Sequence, residues 1–225
     1  MKILLVAMPD SASCFDHMME LPNLALCCLA GNLDGGHEVR ILDLVKHRRH
    51  AAAALENQMR EFGPDLVGIS AMSFQIGSAR NTAAICRVIK PDVITVLGGY
   101  HATIMWQEIG ECPDGLLFDY VVRGEGEAVF NALVRTLDSH GDLAAIPGLS
   151  YRKADVYIHN VPAPLLHLDE VRRPDRGGRV SKDFVWMGRP FDVSESSRGC
   201  TMPCGFCSIR RMYGKTFRLY PDEQV

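Results

Sequence analysis

The feature that most constrains this chain is a regular alternation over its first 140 or so residues. Short β-branched apolar runs are separated by longer stretches of helical periodicity, the pattern of successive parallel βαβ units. The runs at 2–7, 38–43, 66–70, 93–97 and 120–123 predict five strands, mostly apolar as strands covered on both faces must be. The second is the most polar and is expected at an edge. Helices are predicted between them at 24–34, 50–62, 77–89, 103–110 and 128–139, with Gly35-Gly36, Gly63-Pro64 and Pro91 closing the first three. The fold class that follows is α/β: a flavodoxin-like, doubly wound parallel five-stranded sheet over residues 1–140. Such sheets bind ligands beyond the carboxyl ends of their strands, where the strand order reverses.

The loops at those ends therefore carry the first functional information. They are Met8-Pro9-Asp10-Ser11-Ala12-Ser13, Ser70-Ala71-Met72-Ser73, Gly98-Gly99-Tyr100-His101-Ala102-Thr103 and Gly124-Glu125-Gly126-Glu127. Their small residues let backbone approach a large, flat or phosphate-bearing ligand. Each also has a purely structural reading: a tight turn for Gly98-Gly99, a helix cap for His101, a complement to a helix N-terminus for Glu125 and Glu127. No G-x-G-x-x-G follows the first strand and no G-x-x-x-x-G-K-[ST] occurs, which argues against a dinucleotide or nucleoside-triphosphate site. A net charge of −3 on 225 residues offers no field for nucleic acid or an anionic membrane. The longest apolar run, Leu24 to Ala30, is far short of the roughly 20 residues of a membrane span. The first seven residues run straight into Pro9-Asp10, as a strand entering a turn does and a signal peptide does not. A cytoplasmic location is expected.

Between 141 and 190 the alternation stops. Segments 147–152 and 156–158 predict a small hairpin. The stretch through Pro162, Pro164, Pro174 and Gly177-Gly178 reads as a linker, with Arg172, Arg173, Asp175 and Arg176 as a solvated face. Segment 191–195 predicts a strand opening a second domain over 191–225. Of the eight cysteines, Cys14, Cys27, Cys28, Cys86 and Cys112 are scattered and read as reduced thiols, whereas Cys200, Cys204 and Cys207 cluster in one loop. Three thiols so close together suit one metal centre. A structural zinc would need a fourth ligand such as His159 or His167. A [4Fe-4S] cluster with one iron left open would need none.

Cys200-x3-Cys204-x2-Cys207, with Phe206 before the third cysteine, resembles the signature of the radical SAM superfamily. Leu21-Pro22-Asn23-Leu24, Gly36-His37-Glu38-Val39, Gly98-Gly99-x-His101-Ala102-Thr103 and Gly124-Glu125-Gly126-Glu127 resemble the cobalamin-binding domain of its cobalamin-dependent branch. The resemblance implies three cofactors: a [4Fe-4S] cluster on Cys200, Cys204 and Cys207, S-adenosylmethionine on the open iron, and cobalamin. It implies that Ser70, Met72, Ser73, Gly98, Gly99, Tyr100, His101, Glu125 and Gly126 line the corrin and its nucleotide tail. In that family reductive cleavage of S-adenosylmethionine yields a 5′-deoxyadenosyl radical, and an organic small-molecule substrate is methylated or, in the oxidative cyclases of bacteriochlorophyll synthesis, ring-closed. An electron donor is an expected partner. The D-x-H-x-x-G motif that brings a histidine to cobalt in other families is missing at Asp16-His17-Met18-Met19, so a base-off, His-off cobalamin is implied, with His17 a loop residue. About 18 residues follow Cys207, too few for the roughly six-unit barrel the resemblance implies. The chain is therefore expected to hold only the barrel's start, to end at 221–225 in the first turn of a helix, and to be inactive alone. The competing class is a cobalamin carrier or sensor module with a structural zinc at the C-terminal cysteines.

Overall fold

In the computed structural model, which describes residues 1–10, 20–111 and 116–224, the alternation within the first strand sets the layering. Strand β1 (Lys2–Ala7) sends Leu4 and Val6 to one face and Ile3, Leu5 and Ala7 to the other. All five are buried because helices cover both faces. The chain continues through α1 (Leu24–Asn32), β2 (Glu38–Asp43), a 3-10 segment (Leu44–His50), α2 (Ala51–Phe62), β3 (Leu66–Ser70), α3 (Ile76–Ile89), β4 (Ile94–Gly98), α4 (Tyr100–Ile104), β5 (Tyr120–Val122) and α5 (Gly126–Ser139). Then come β6 (Leu149–Lys153), β7 (Val156–His159), β8 (Val185–Trp186), β9 (Arg189–Pro190), β10 (Ser197–Cys200), α6 (Ile209–Tyr213) and β11 (Thr216–Leu219). No helix among the described residues is long and apolar enough to cross a membrane.

The described residues build a main sheet of seven strands in the order β2-β1-β3-β4-β5-β6-β7. Strands β1 to β5 are parallel, giving the doubly wound sheet the alternation predicts, with the polar β2 at its edge. The predicted hairpin, β6 and β7, extends that sheet antiparallel beyond β5. Helices α2 and α3 pack with Leu4 and Val6 through Leu55, Met59, Phe62, Ala79 and Ala83. Helices α1 and α5 pack with Ile3 and Leu5 through Leu26, Ala30, Phe130 and Leu133.

Two expectations are corrected. The helix predicted at 103–110 starts directly after Gly99 and stops at Ile104. The strand predicted at 191–195 does not form; the strand is β10, paired antiparallel with β11. Segment 191–195 instead bonds to side chains: Asp192 holds Arg179 at 2.6 Å and Arg176 at 3.0 Å, and the Val193 carbonyl accepts from Arg176. The charged stretch is solvated as expected, with Arg172, Arg173 and Asp175 exposed and Arg176 half-exposed, but it is also anchored to the domain. Asp175 N donates to Cys27 O at 2.9 Å, Arg172 N to Asn32 Oδ1 at 2.9 Å, and the Arg172 guanidinium to Asn32 O. The stretch is thus a strap laid on α1, which explains why α1 is apolar all round. At Gly31 a Cβ would stand 2.1 Å from Arg173 O. The strap then closes the free edge of β2, with Ile41 N donating to Gly178 O and Val180 N to Ile41 O.

Candidate functional site

Strands β2 and β3 flank β1 on opposite sides, so the strand order reverses between β1 and β3. A cavity of about 750 Å³ opens there, at the carboxyl ends of the strands. Ala7 and Met8 leave β1 into it, Ser70 to Met72 leave β3, Gly98 to Tyr100 leave β4, and Gly124 to Glu127 lead into α5. The segment before α1 forms a side wall. It is fixed by Asn23, whose side chain accepts from Leu26 N at 3.1 Å while its own N–H donates to Asp43 Oδ2 at 2.9 Å. The wall facing the sheet comes from the C-terminal segment: Glu195, Arg198, Met212 and Tyr213, which flank the three clustered cysteines in sequence. Burial raises the phenol pKa of both Tyr100 and Tyr213, which line the cavity from α4 and α6.

Of the residues expected to line a ligand, Ser70, Met72, Gly98, Gly99, Tyr100, Glu125 and Gly126 meet at this cavity. Ser73 and His101 do not. They face each other, with His101 Nδ1 3.2 Å from Ser73 Oγ. Burial, assisted by the charge of Arg80, lowers the pKa of His101 and keeps its ring neutral. No histidine is among the described residues lining the cavity. Ser11 to Ser13, Cys14, His17 and Cys112 lie outside the described residues. The sequence reading missed Asp43, Arg48, Phe130 and Tyr213 as lining residues. Asp43, at the carboxyl end of β2, followed from the fold rule; the others reach the cavity from helical segments whose periodicity reveals only that they are buried or paired.

The carboxylate of Glu125 is 2% exposed and engaged on all sides. Arg218 binds it with two nitrogens, each at 2.9 Å, Arg198 Nη1 lies at 3.2 Å, and Leu166 N donates at 2.7 Å. Burial alone would raise its pKa, but the hydrogen bonds from Arg218, Leu166 and Arg198 outweigh that, and the net shift is downward. Arg198 also meets Glu127 at 2.6 Å and Glu195 at 2.8 Å.

Cys200 ends β10, Cys204 is exposed, Cys207 is half-buried, and all three are free thiols. One backbone bond, Cys207 N to Cys204 O at 3.2 Å, turns the loop. Among the described residues no three His, Cys, Asp or Glu side chains are gathered closely enough to hold a metal ion. His159 lies on β7 with Nδ1 2.8 Å from Ser150 Oγ and its ring against Trp106, and His167 is exposed. Three thiols on one loop have the chemistry of a three-thiolate donor set, and the loop would have to close around a centre to bring them together. Cys28 also lines the cavity, but burial pushes its thiol up to about 12, so it is protonated at neutral pH.

The family described as "B12 binding domain" matches residues 18–134. An uncharacterized methyltransferase of Pyrococcus horikoshii is 34% identical over 229 residues, covering 100% of this chain and 49% of that protein. The anaerobic magnesium-protoporphyrin IX monomethyl ester cyclase of Rubrivivax gelatinosus is 34% identical over 182 residues, covering 76% of this chain and 32% of that one. Among solved structures, the radical S-adenosylmethionine methyltransferase TsrM of Kitasatospora setae, with tryptophan substrate and a SAM analog bound, superposes with a TM-score of 0.73 at 22% identity, covering 100% of this chain and 44% of its own. The cobalamin-dependent S-adenosylmethionine radical enzyme OxsB superposes with a TM-score of 0.69 at 19% identity. The chain thus spans half or less of the proteins it matches.

Proposed function

This chain belongs to the B12-binding domain family, and from that premise we propose that it is the cofactor-cradling part of a cobalamin-dependent radical SAM enzyme. In this reading residues 1–140 cradle cobalamin, 141–190 connect, and 191–225 open the radical SAM domain. One observation carries it: a single cavity has the glycine-rich strand ends on one wall and, on the other, residues on both sides of the three free cysteines.

Each group of residues then has a defined task. Gly98, with no atom within 4 Å of where a Cβ would stand, leaves room for a flat ring face to approach the sheet. Leu21, Leu24, Leu26, Phe130 and Val122 give the cavity an apolar lining that excludes water. A base-off, His-off mode for cobalamin is part of the reading, carried from the missing D-x-H-x-x-G motif at Asp16-His17-Met18-Met19. Cys200, Cys204 and Cys207 would hold a [4Fe-4S] cluster, leaving one iron for S-adenosylmethionine. When bound, these groups supply reductive cleavage of S-adenosylmethionine and transfer of a methyl group. Methylation or oxidative ring closure of a small organic substrate, fed by an electron donor in the cytoplasm, is the whole-protein activity proposed. The names of its relatives, methyltransferases and a cyclase, support that pair of outcomes.

Anaerobic reconstitution with iron and sulfide, followed by titration with hydroxocobalamin, tests the reading. About four irons and four sulfides per chain, lost together in the triple Cys→Ser variant, and a saturable change in the corrin spectrum are expected. One tightly held zinc per chain with no iron uptake would establish the carrier or sensor reading instead.

A further inference from the structure

Strands β10 and β11 pair so that Arg198 stands directly opposite Arg218. Two like charges across an antiparallel ladder repel, and this pair is largely buried, with side chains 7% and 19% exposed. The group between them is the carboxylate of Glu125, which accepts from both guanidinium groups and comes from the loop that enters α5. Arg198 is answered again by Glu127 and Glu195, but among the described residues Arg218 meets no other carboxylate, its further contacts being the carbonyl of Leu166 and the ring of Tyr213. Position in the hairpin follows from this arrangement. Cys200 is the last residue of β10, two beyond Arg198, so the point from which the cysteine loop departs is set by where Arg198 and Arg218 can both reach Glu125.

We propose that Glu125 is a positioning residue: its carboxylate is the counter-charge that lets the β10–β11 hairpin close and fixes the cysteine loop against the glycine-rich rim of the cavity. Its carboxylate therefore serves the guanidinium groups and makes no bond to a ligand in the cavity. The functional consequence, registry between a cluster site and a cobalamin site, rests on the function proposed above; the clasp itself does not.

Hydrogen exchange read by mass spectrometry on the cofactor-free 225-residue chain separates the two. In Glu125→Gln, the amides of 197–200 and 216–219 should exchange on the order of 100-fold faster, as expected when a buried charge loses its partner, while those of β1, β3 and β4 keep the wild-type rate. Charge, not packing, is identified by the double variant Glu125→Gln/Arg218→Met, which removes the uncompensated guanidinium and should recover about ten-fold of the protection. A double variant that exchanges as fast as Glu125→Gln or faster overturns the proposal, as does a hairpin unaffected by Glu125→Gln. Should exchange rise throughout the sheet in Glu125→Gln, Arg218→Gln decides the matter, because it leaves Glu125 paired with Arg198. A rise confined to the hairpin supports the clasp; a rise everywhere, or none, overturns it. Reconstitution of the same variants adds the spectroscopic readout: Glu125→Gln should lower iron uptake at least about three-fold and Glu125→Gln/Arg218→Met should restore part of it. A wild-type chain that takes up neither cluster nor cobalamin refutes the proposed function and leaves the exchange result standing.

Discussion

Replacing Gly99 by alanine should destabilise the sheet domain by about 3 kcal/mol, because of where two loops meet. Gly99 has φ +92° and ψ −167°, a conformation essentially reserved for glycine that costs another residue about 1–3 kcal/mol. A Cβ there would stand 2.8 Å from the carbonyl oxygen of Ala71 and 3.0 Å from its nitrogen. That backbone is held in place: Ala71 N donates to Gly98 O and Ala71 O accepts from His101 N, each at 3.1 Å. Relieving the clash stretches at least one of these buried bonds, adding about 1 kcal/mol or more. For a chain of this length the sum corresponds to a melting point lowered by roughly 6–12 °C. Gly98 is the internal control: nothing lies within 4 Å of its Cβ position and its φ is not positive. Gly98→Ala should stay within about 0.5 kcal/mol of wild type. Thermal unfolding followed by far-ultraviolet circular dichroism measures both. A Gly99→Ala protein melting within about 2 °C of wild type, or a Gly98→Ala protein that is the less stable of the two, would refute the reasoning.

Three other outcomes follow from the same structure. In a Cys14→Ser/Cys112→Ser background, a thiol reagent should modify Cys200, Cys204 and Cys207 in the native protein and reach buried Cys27, Cys28 and Cys86 only after unfolding; rapid native labelling of Cys86, whose thiol burial pushes up to about 12, would contradict the structure. The hydrogen bonds of Arg218, Leu166 and Arg198 hold the Glu125 pKa below the ordinary glutamate value despite burial, so its contribution is complete above that value, about 4.3, and is lost as pH falls through the lower folded value; urea midpoints should drop below about pH 4 less steeply in Glu125→Gln than in wild type. Gly31→Val drives a side chain into the Arg173 carbonyl and should lift the strap off α1, speeding limited proteolysis of 160–180 on the order of ten-fold, with unchanged cleavage counting against the strap.

The sheet was legible because its strands are covered on both faces: Ile3 to Ala7 and Leu66 to Ile69 must be nearly all apolar, a signal that needs no partner. Punctuation placed three helix ends, yet α4 was misplaced because its start is dictated by the contact of Gly99 with Ala71, a neighbour 28 residues away that no local pattern encodes. Strand β10 was misread for a related reason. Its four residues, Ser-Arg-Gly-Cys, carry no apolar periodicity, and the adjacent 191–195 segment imitates a strand. Charge decides between them: Arg198 and Arg218 are drawn to Glu125, whereas Asp192 is drawn to the strap arginines.

The same physics explains which site residues the sequence could name. A cysteine spacing states its own chemistry, because three thiols within eight residues can be gathered by closing one loop, with no help from a distant segment. A glycine loop does not, because whether Gly98 faces open space, or Gly99 another backbone, depends on which strand lies beside it. His101 and Ser73 looked like lining residues for the reason that they lie in lining loops, yet they face each other. One clue in the sequence did foretell the strap, since a helix as uniformly apolar as Leu24–Asn32 needs cover on its outer face as well as its inner one. Where burial is satisfied by neighbours along the chain, sequence suffices. Where it is satisfied by a charge from a segment some 70 to 90 residues away, as for Glu125 with Arg198 and Arg218, no residue names its partner, and only the folded pair shows why it is buried.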